Sequence, residues 1–153
     1  MIGISACLGG CYCRYDGKSQ TNDDLKSLVE KELAALVCPE VLGGLPIPRD
    51  PAEIIGGDGF DVWDKKAQVV TCYGVDVTSL YQQGAKTAYQ KLQQKGVTKL
   101  ILKEASPACG VNQIYDGSFS GKKITGVGVA TAYFILKGMT VLSDNEWALS
   151  EVQ

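Results

Sequence analysis

The apolar residues of this chain fall into short runs, some at strand spacing and some at helical spacing, parted by polar, glycine-rich or proline-rich stretches. "MIGIS", residues 1–5, reads as a strand that stops where the glycines begin. From Thr21, "TNDDLKSLVEKEL" places Leu25, Leu28, Val29 and Leu33 at helical spacing behind polar capping residues and early acids, which predicts a helix over 21–33. "AALVC" predicts a second strand, cut off by Pro39. Residues 39–59 hold four of the five prolines and five glycines, so they are expected to form a structured loop with one short helical turn. A loop of that length invites a functional reading.

Further on, "FDVW" and "AQVVTC" predict a small antiparallel pair around the turn "DKK". Asp76 reads as the cap of a helix that ends at Gly96, with Val77, Leu80, Tyr81, Ala85, Ala88 and Leu92 on one face. "TKLILK" predicts a strand, residues 104–128 a glycine-rich loop, "VATAYFILKG" an apolar helix and "MTVLS" a last strand. This alternation predicts an α/β fold: a single three-layer, Rossmann-like domain over residues 1–153, with a mostly parallel sheet and helices on both faces.

That architecture changes the reading of the cysteines. "ISACLGGCYCRYDG", residues 4–17, looks like a self-contained cluster with Cys7, Cys11 and Cys13. In an open α/β sheet, however, binding crevices form outside the carboxyl ends of parallel strands. Cys7 follows the first strand, Cys38 ends the second, and Cys109 lies in the loop after "LILK". Three thiols from three strand ends can meet there. Cys11, Cys13 and Cys72 are less well placed, and Cys72, in the small hairpin, reads as a buried apolar residue.

Composition narrows the chemistry. Histidine is absent, which removes Cys-His and Ser-His nucleophile pairs and leaves sulfur and carboxylate as the metal ligands. A net charge of −2 argues against a chain built around broad polyanion binding. Six irregularly spaced cysteines and the absence of a signal-peptide pattern predict a reducing cytoplasm, and no apolar stretch suggests a membrane span.

Several chemistries compete at this point. Structural zinc on Cys7, Cys11, Cys13 and Cys38 lacks the usual second close pair, and "CLGGC" and "CYC" depart from a Cys-x-x-Cys redox pair. Simple packed thiols remain the plain alternative. Gly17, Lys18 and Ser19 mimic the tail of a phosphate loop, but position 12 is tyrosine where that loop needs glycine. The glycines before the apolar helix can cradle an anion or simply make turns. Among the polar residues, Glu40, Glu104 and Asp16 are acids near these cysteines, able to pass protons or merely to sit at the surface. Arg49 can clamp a loop or orient a substrate oxygen. Ser106 can cap a turn or donate to a substrate.

Four stretches together, "ISACLGGCYCRYDG", "CPEVLGGLPIPRDPAEI", "GVDVTSLYQQGAKTA" and "LILKEASPACGVNQIYDGSFSGKKITGVGVAT", resemble the thiouracil desulfurase (desulfidase) family over nearly the whole chain. The resemblance implies a [4Fe–4S] cluster on three cysteines, with one iron left open. Carried over motif by motif, these are Cys7, Cys38 and Cys109, the set picked out by the strand ends. It also implies removal of the thiocarbonyl sulfur of a small thiolated pyrimidine such as 2-thiouracil, giving uracil and hydrogen sulfide without net electron transfer. In that frame Glu40 is expected to handle protons, with Asp16 as the alternate, Ser106 to orient the substrate, and Ser5 and Arg49 to serve the same pocket. Other readings remain: desulfuration of a thiolated nucleoside or tRNA, or a non-catalytic module that carries a metal or cluster and binds RNA. The oligomeric state is not legible.

Overall fold

Strands of three or four residues are interspersed with helices along the chain. The computed structural model describes residues 1–8 and 23–147. The elements are β1 (Ile2–Ser5), α1 (Asp23–Glu30), β2 (Ala34–Val37), α2 (Pro39–Leu42), β3 (Ala52–Ile55), α3 (Gly59–Trp63) and β4 (Gln68–Thr71). They continue with α4 (Thr78–Gln94), β5 (Lys99–Leu102), β6 (Gln113–Tyr115), β7 (Lys123–Thr125), α5 (Val129–Leu136) and β8 (Thr140–Ser143).

The main sheet has the order β2-β1-β5-β8, and every pairing in it is parallel. Successive strand residues face opposite sides of the sheet, so each strand feeds two cores. Val37, Leu100 and Leu102 pack with Tyr81, Ala85, Ala88 and Leu92 of α4 and with Phe134 of α5. Ile4, Ala34 and Ile101 pack on the other side with Leu25 of α1. Helices therefore cover both faces, as the predicted single α/β domain requires.

Helix α1 ends earlier than its periodicity suggests. Glu32 takes a left-handed conformation, φ 58°. The Leu33 N–H then bonds the Leu28 carbonyl and the Glu32 N–H the Val29 carbonyl, which closes the helix without a glycine. Leu33 is 54% exposed in the turn instead of joining the helical face. On α4, Leu80 is also exposed, because Tyr81, Ala85, Ala88 and Leu92 form the stripe and residue 80 is rotated off it.

The middle of the chain differs most from expectation. "FDVW" is not a strand but helix α3, whose start is fixed by a reciprocal capping box: Asp58 accepts from the Phe60 and Asp61 N–H groups, and Asp61 accepts from the Asp58 N–H. The antiparallel partner of β4 is β3, inside the proline-rich stretch. That stretch thus holds a strand as well as the expected helical turn, α2. The glycine-rich segment 104–128 likewise contains an antiparallel hairpin, β6–β7, around Asp116–Gly117. Cys72 is exposed at the end of β4 rather than buried.

One close approach positions the segment after Cys38. Gly84 of α4 lies directly against the Pro39 carbonyl, and a Cβ there would overlap that oxygen and crowd the Gly43 nitrogen. Only glycine lets α2 lie so close to α4. Gly84→Ala is expected to cost about 1–3 kcal/mol by forcing the two backbones apart. Urea unfolding checks this, and a variant as stable as the parent would contradict the packing.

Candidate active site

Cys7 lies two residues beyond β1, Cys38 directly beyond β2, and Cys109 in the loop that follows β5. These are neighbouring parallel strands, and β1 is where the chain order reverses, with β2 on one side and β5 on the other. The crevice beyond such a reversal is where open α/β sheets bind ligands. All three cysteines line one cavity of about 380 Å³ there. Cys7 and Cys109 are buried and Cys38 is partly exposed.

The loop carrying Cys109 is held from three directions. The N–H groups at the start of α5 are spent on it: Val129 donates to Pro107, Ala130 and Thr131 to Ala108. These bonds use donors that a helix start otherwise leaves open, so of the two readings, anion cradle or turns, the helix start serves as a mount for the loop. Gly128 packs against the backbone of Ala108 and Cys109, where a Cβ would not fit. From a second side, Glu104 Oε1 accepts from the N–H groups of Ala105, Val111, Asn112 and Gln113 at 2.7–3.3 Å. Burial opposes the charge on Glu104, but these N–H donors outweigh it and hold the carboxyl below its ordinary value. From the third side, Ser106 Oγ accepts from the Ala108 and Cys109 N–H groups, at 3.0 and 3.2 Å.

Glu40, in the first turn of α2, is the hub of the cavity's polar side. Its Oε2 accepts from Arg49 Nε at 3.1 Å, from Arg49 Nη2 at 3.0 Å and from the Tyr81 hydroxyl at 2.9 Å. Its Oε1 accepts from Ser106 Oγ at 3.2 Å. A carboxylate offers about two lone-pair sites per oxygen. Oε2 thus carries the Arg49 and Tyr81 donors, while Oε1 accepts from Ser106 alone among the described residues. The Arg49 and Glu40 side chains are only 5% and 14% exposed. Burial pulls the Arg49 pKa down, yet the adjacent Glu40 charge more than offsets it and the guanidinium stays charged. Burial, reinforced by Glu40, pushes the Tyr81 phenol well above its ordinary range, so it remains a donor.

The cavity thus gathers Ser5, Cys7, Cys38, Glu40, Arg49, Ser106 and Cys109. Asp16, Cys11 and Cys13 lie outside the described residues. Among the described residues, Arg49 donates to Glu40 and to the Pro46 carbonyl. Ser106 directs its hydrogen at Glu40, and Ser5 Oγ accepts from the Lys103 N–H at 2.9 Å. Tyr81 is the residue that sequence reasoning missed: its place on the apolar stripe of α4 accounts for the ring, and nothing in the pattern reveals what the hydroxyl reaches. Among the described residues, no three cysteine, aspartate or glutamate side chains draw together tightly enough to hold a single metal ion.

Fold and cavity define an α/β enzyme-like domain with thiols and hydrogen-bonded carboxylates at its topological switch point. The sequence model of the 2-thiouracil desulfurase family matches residues 2–146, and the chain belongs to that family. It is 48% identical over 146 residues to YbbK, an uncharacterized protein of Bacillus subtilis, covering 95% of this chain and 97% of that one. A solved structure of a [4Fe–4S]-dependent thiouracil desulfidase, TudS, superposes with a TM-score of 0.83 at 39% identity, covering 98% of this chain and 97% of the other. The chain is accordingly a desulfurase of the thiouracil type.

The Glu104 network generates a stability prediction. A depressed folded pKa contributes stability that is present above the ordinary value of 4.5 and is lost as pH falls through the lower folded value. Glu104→Gln is expected to lower stability at neutral pH by about 1–2 kcal/mol, the scale of charged hydrogen bonds discounted for partial exposure. It should also flatten the acid side of the stability profile. Urea titrations across pH 3–7 measure both, and a variant with the parent's acid slope would contradict the assignment.

Proposed function

We propose that this chain hydrolyses the thiocarbonyl of 2-thiouracil, with Cys7, Cys38 and Cys109 holding a [4Fe–4S] cluster and Glu40 handling the protons. The observation that carries the reading is the convergence of three thiols from three strand ends on one cavity with the pinned Glu40. The donor set fits the group. Thiolates are the usual ligands of iron–sulfur clusters, and in a four-iron cluster each binds a different iron, so they stand farther apart than the ligands of one ion. The related solved structure is of a [4Fe–4S]-dependent thiouracil desulfidase, which supports the same cofactor here.

When bound, such a cluster supplies a soft Lewis acid to which a thiocarbonyl sulfur can bind. The chain's own residues do the rest. Glu40 Oε1, which accepts from Ser106 alone among the described residues, takes a proton from the water that attacks the thiocarbonyl carbon. Arg49 and Tyr81 hold Oε2, so the carboxylate cannot rotate away as the proton arrives. Ser106 links Oε1 to the Cys109 loop and is a positioning residue rather than a donor to substrate. As the carbon–oxygen bond forms, the carbon–sulfur bond breaks with its electron pair on sulfur. The two protons of water end on that sulfur, so 2-thiouracil and water give uracil and hydrogen sulfide with no change in electron count. The cavity volume suits a small heterocycle. No helix among the described residues is long and apolar enough to cross a membrane, and a reducing cytoplasm is the setting proposed for these thiols.

Anaerobic reconstitution followed by iron and sulfide analysis is expected to find about four of each per chain. Cys7→Ser, Cys38→Ser and Cys109→Ser should each abolish loading, while Cys72→Ser, at an exposed site away from the cavity, should load normally. A Cys109→Ser protein with full iron content would sink the ligand assignment. Glu40→Gln should retain iron while kcat for 2-thiouracil falls at least about a hundredfold.

A further inference from the structure

Among the described residues, only two aromatic rings line the cavity, Tyr81 and Tyr115. Tyr81 is 3% exposed and its hydroxyl is committed to Glu40. Tyr115 is half-buried, and its hydroxyl bonds to none of the described residues. We propose that Tyr115 is the surface on which the substrate's pyrimidine ring stacks, and therefore a specificity-determining residue for flat, unsaturated heterocycles. This rests on the desulfurase reading and adds to it the part of the site that recognises the ring.

The hairpin is built to hold that ring still. Tyr115 ends β6, and residue 114 bridges in parallel to Ala105, so the strand is tied to the loop after β5. Glu53 Oε1 of β3 accepts from the N–H groups of Gly117, at 2.9 Å, and Phe119, at 3.2 Å, pinning the hairpin turn. Lys123, opposite on β7, sets its Nζ 5.6 Å from the Tyr115 ring centroid, a cation–π contact that restrains the ring. A ring fixed before binding loses little freedom when a base stacks on it. The stack also requires a flat partner, since a saturated ring puckers and meets the phenol with fewer atoms.

Two measurements test this on the iron-loaded enzyme. In the wild type, uracil should inhibit 2-thiouracil turnover about tenfold more tightly than dihydrouracil, which keeps the same hydrogen-bonding edge but has a saturated carbon–carbon bond. Equal inhibition by the two would overturn the proposal, without need of any variant. Tyr115→Leu should raise KM on the order of tenfold, the scale of a lost base–aromatic stack. Its kcat should change by less than about threefold, its iron content should hold, and its preference for uracil over dihydrouracil should vanish. Tyr115→Phe should keep the wild-type KM and preference. A Tyr115→Leu enzyme with unaltered KM and preference would overturn the stacking role while leaving the desulfurase reading intact. A loaded wild type unable to turn over 2-thiouracil would overturn that reading, and the stacking role with it.

Discussion

Everything at the cavity depends on fixing one carboxylate, Glu40, in a largely buried place. Burying a carboxylate costs several kcal/mol unless its lone pairs are met. Here Arg49, Tyr81 and Ser106 meet them, and they come from the proline-rich loop, from α4 and from the Cys109 loop. The ion pair is thus better understood as a device for holding geometry than as a source of net stability. It ties the segment after Cys38 to the segment before Cys109, so the two thiol-bearing loops share one anchor.

A second constraint is that irregular backbone must find partners for its N–H and carbonyl groups wherever it is buried. The loop after β5 solves this by borrowing the start of α5 and the Glu104 carboxylate. The helix start, a natural place for an anion, is therefore already occupied by the protein's own carbonyls. Among the described residues, the thiols and the β6–β7 hairpin wall the space above the strand ends. A rigid frame around an open space is what a site needs if binding is not to be spent on ordering the protein.

Much of this was legible in advance, for identifiable reasons. The parallel sheet followed from short apolar runs alternating with helical stripes, and the meeting of Cys7, Cys38 and Cys109 at one cavity followed from where strands end. The misreadings have equally plain causes. "FDVW" has strand-like composition, but the Asp58–Asp61 capping box outweighs it and starts a helix. Its supposed role as partner of β4 is taken by Ala52–Ile55, which proline and glycine on either side disguised as loop. Leu33 continued a helical pattern that the backbone had already left at Glu32.

What the sequence determined by itself was which residues lie at strand ends, since periodicity and turn residues are local properties and a parallel sheet brings its strand ends to one edge. Only the tertiary structure decided what those residues touch. That Glu40 shares one carboxylate among Arg49, Tyr81 and Ser106, or that Tyr115 faces the same cavity as the thiols, depends on the packing of α2 against α4 and on the docking of the hairpin on β3. Such contacts join residues far apart in the chain, and no local pattern of hydrophobic and polar positions carries them.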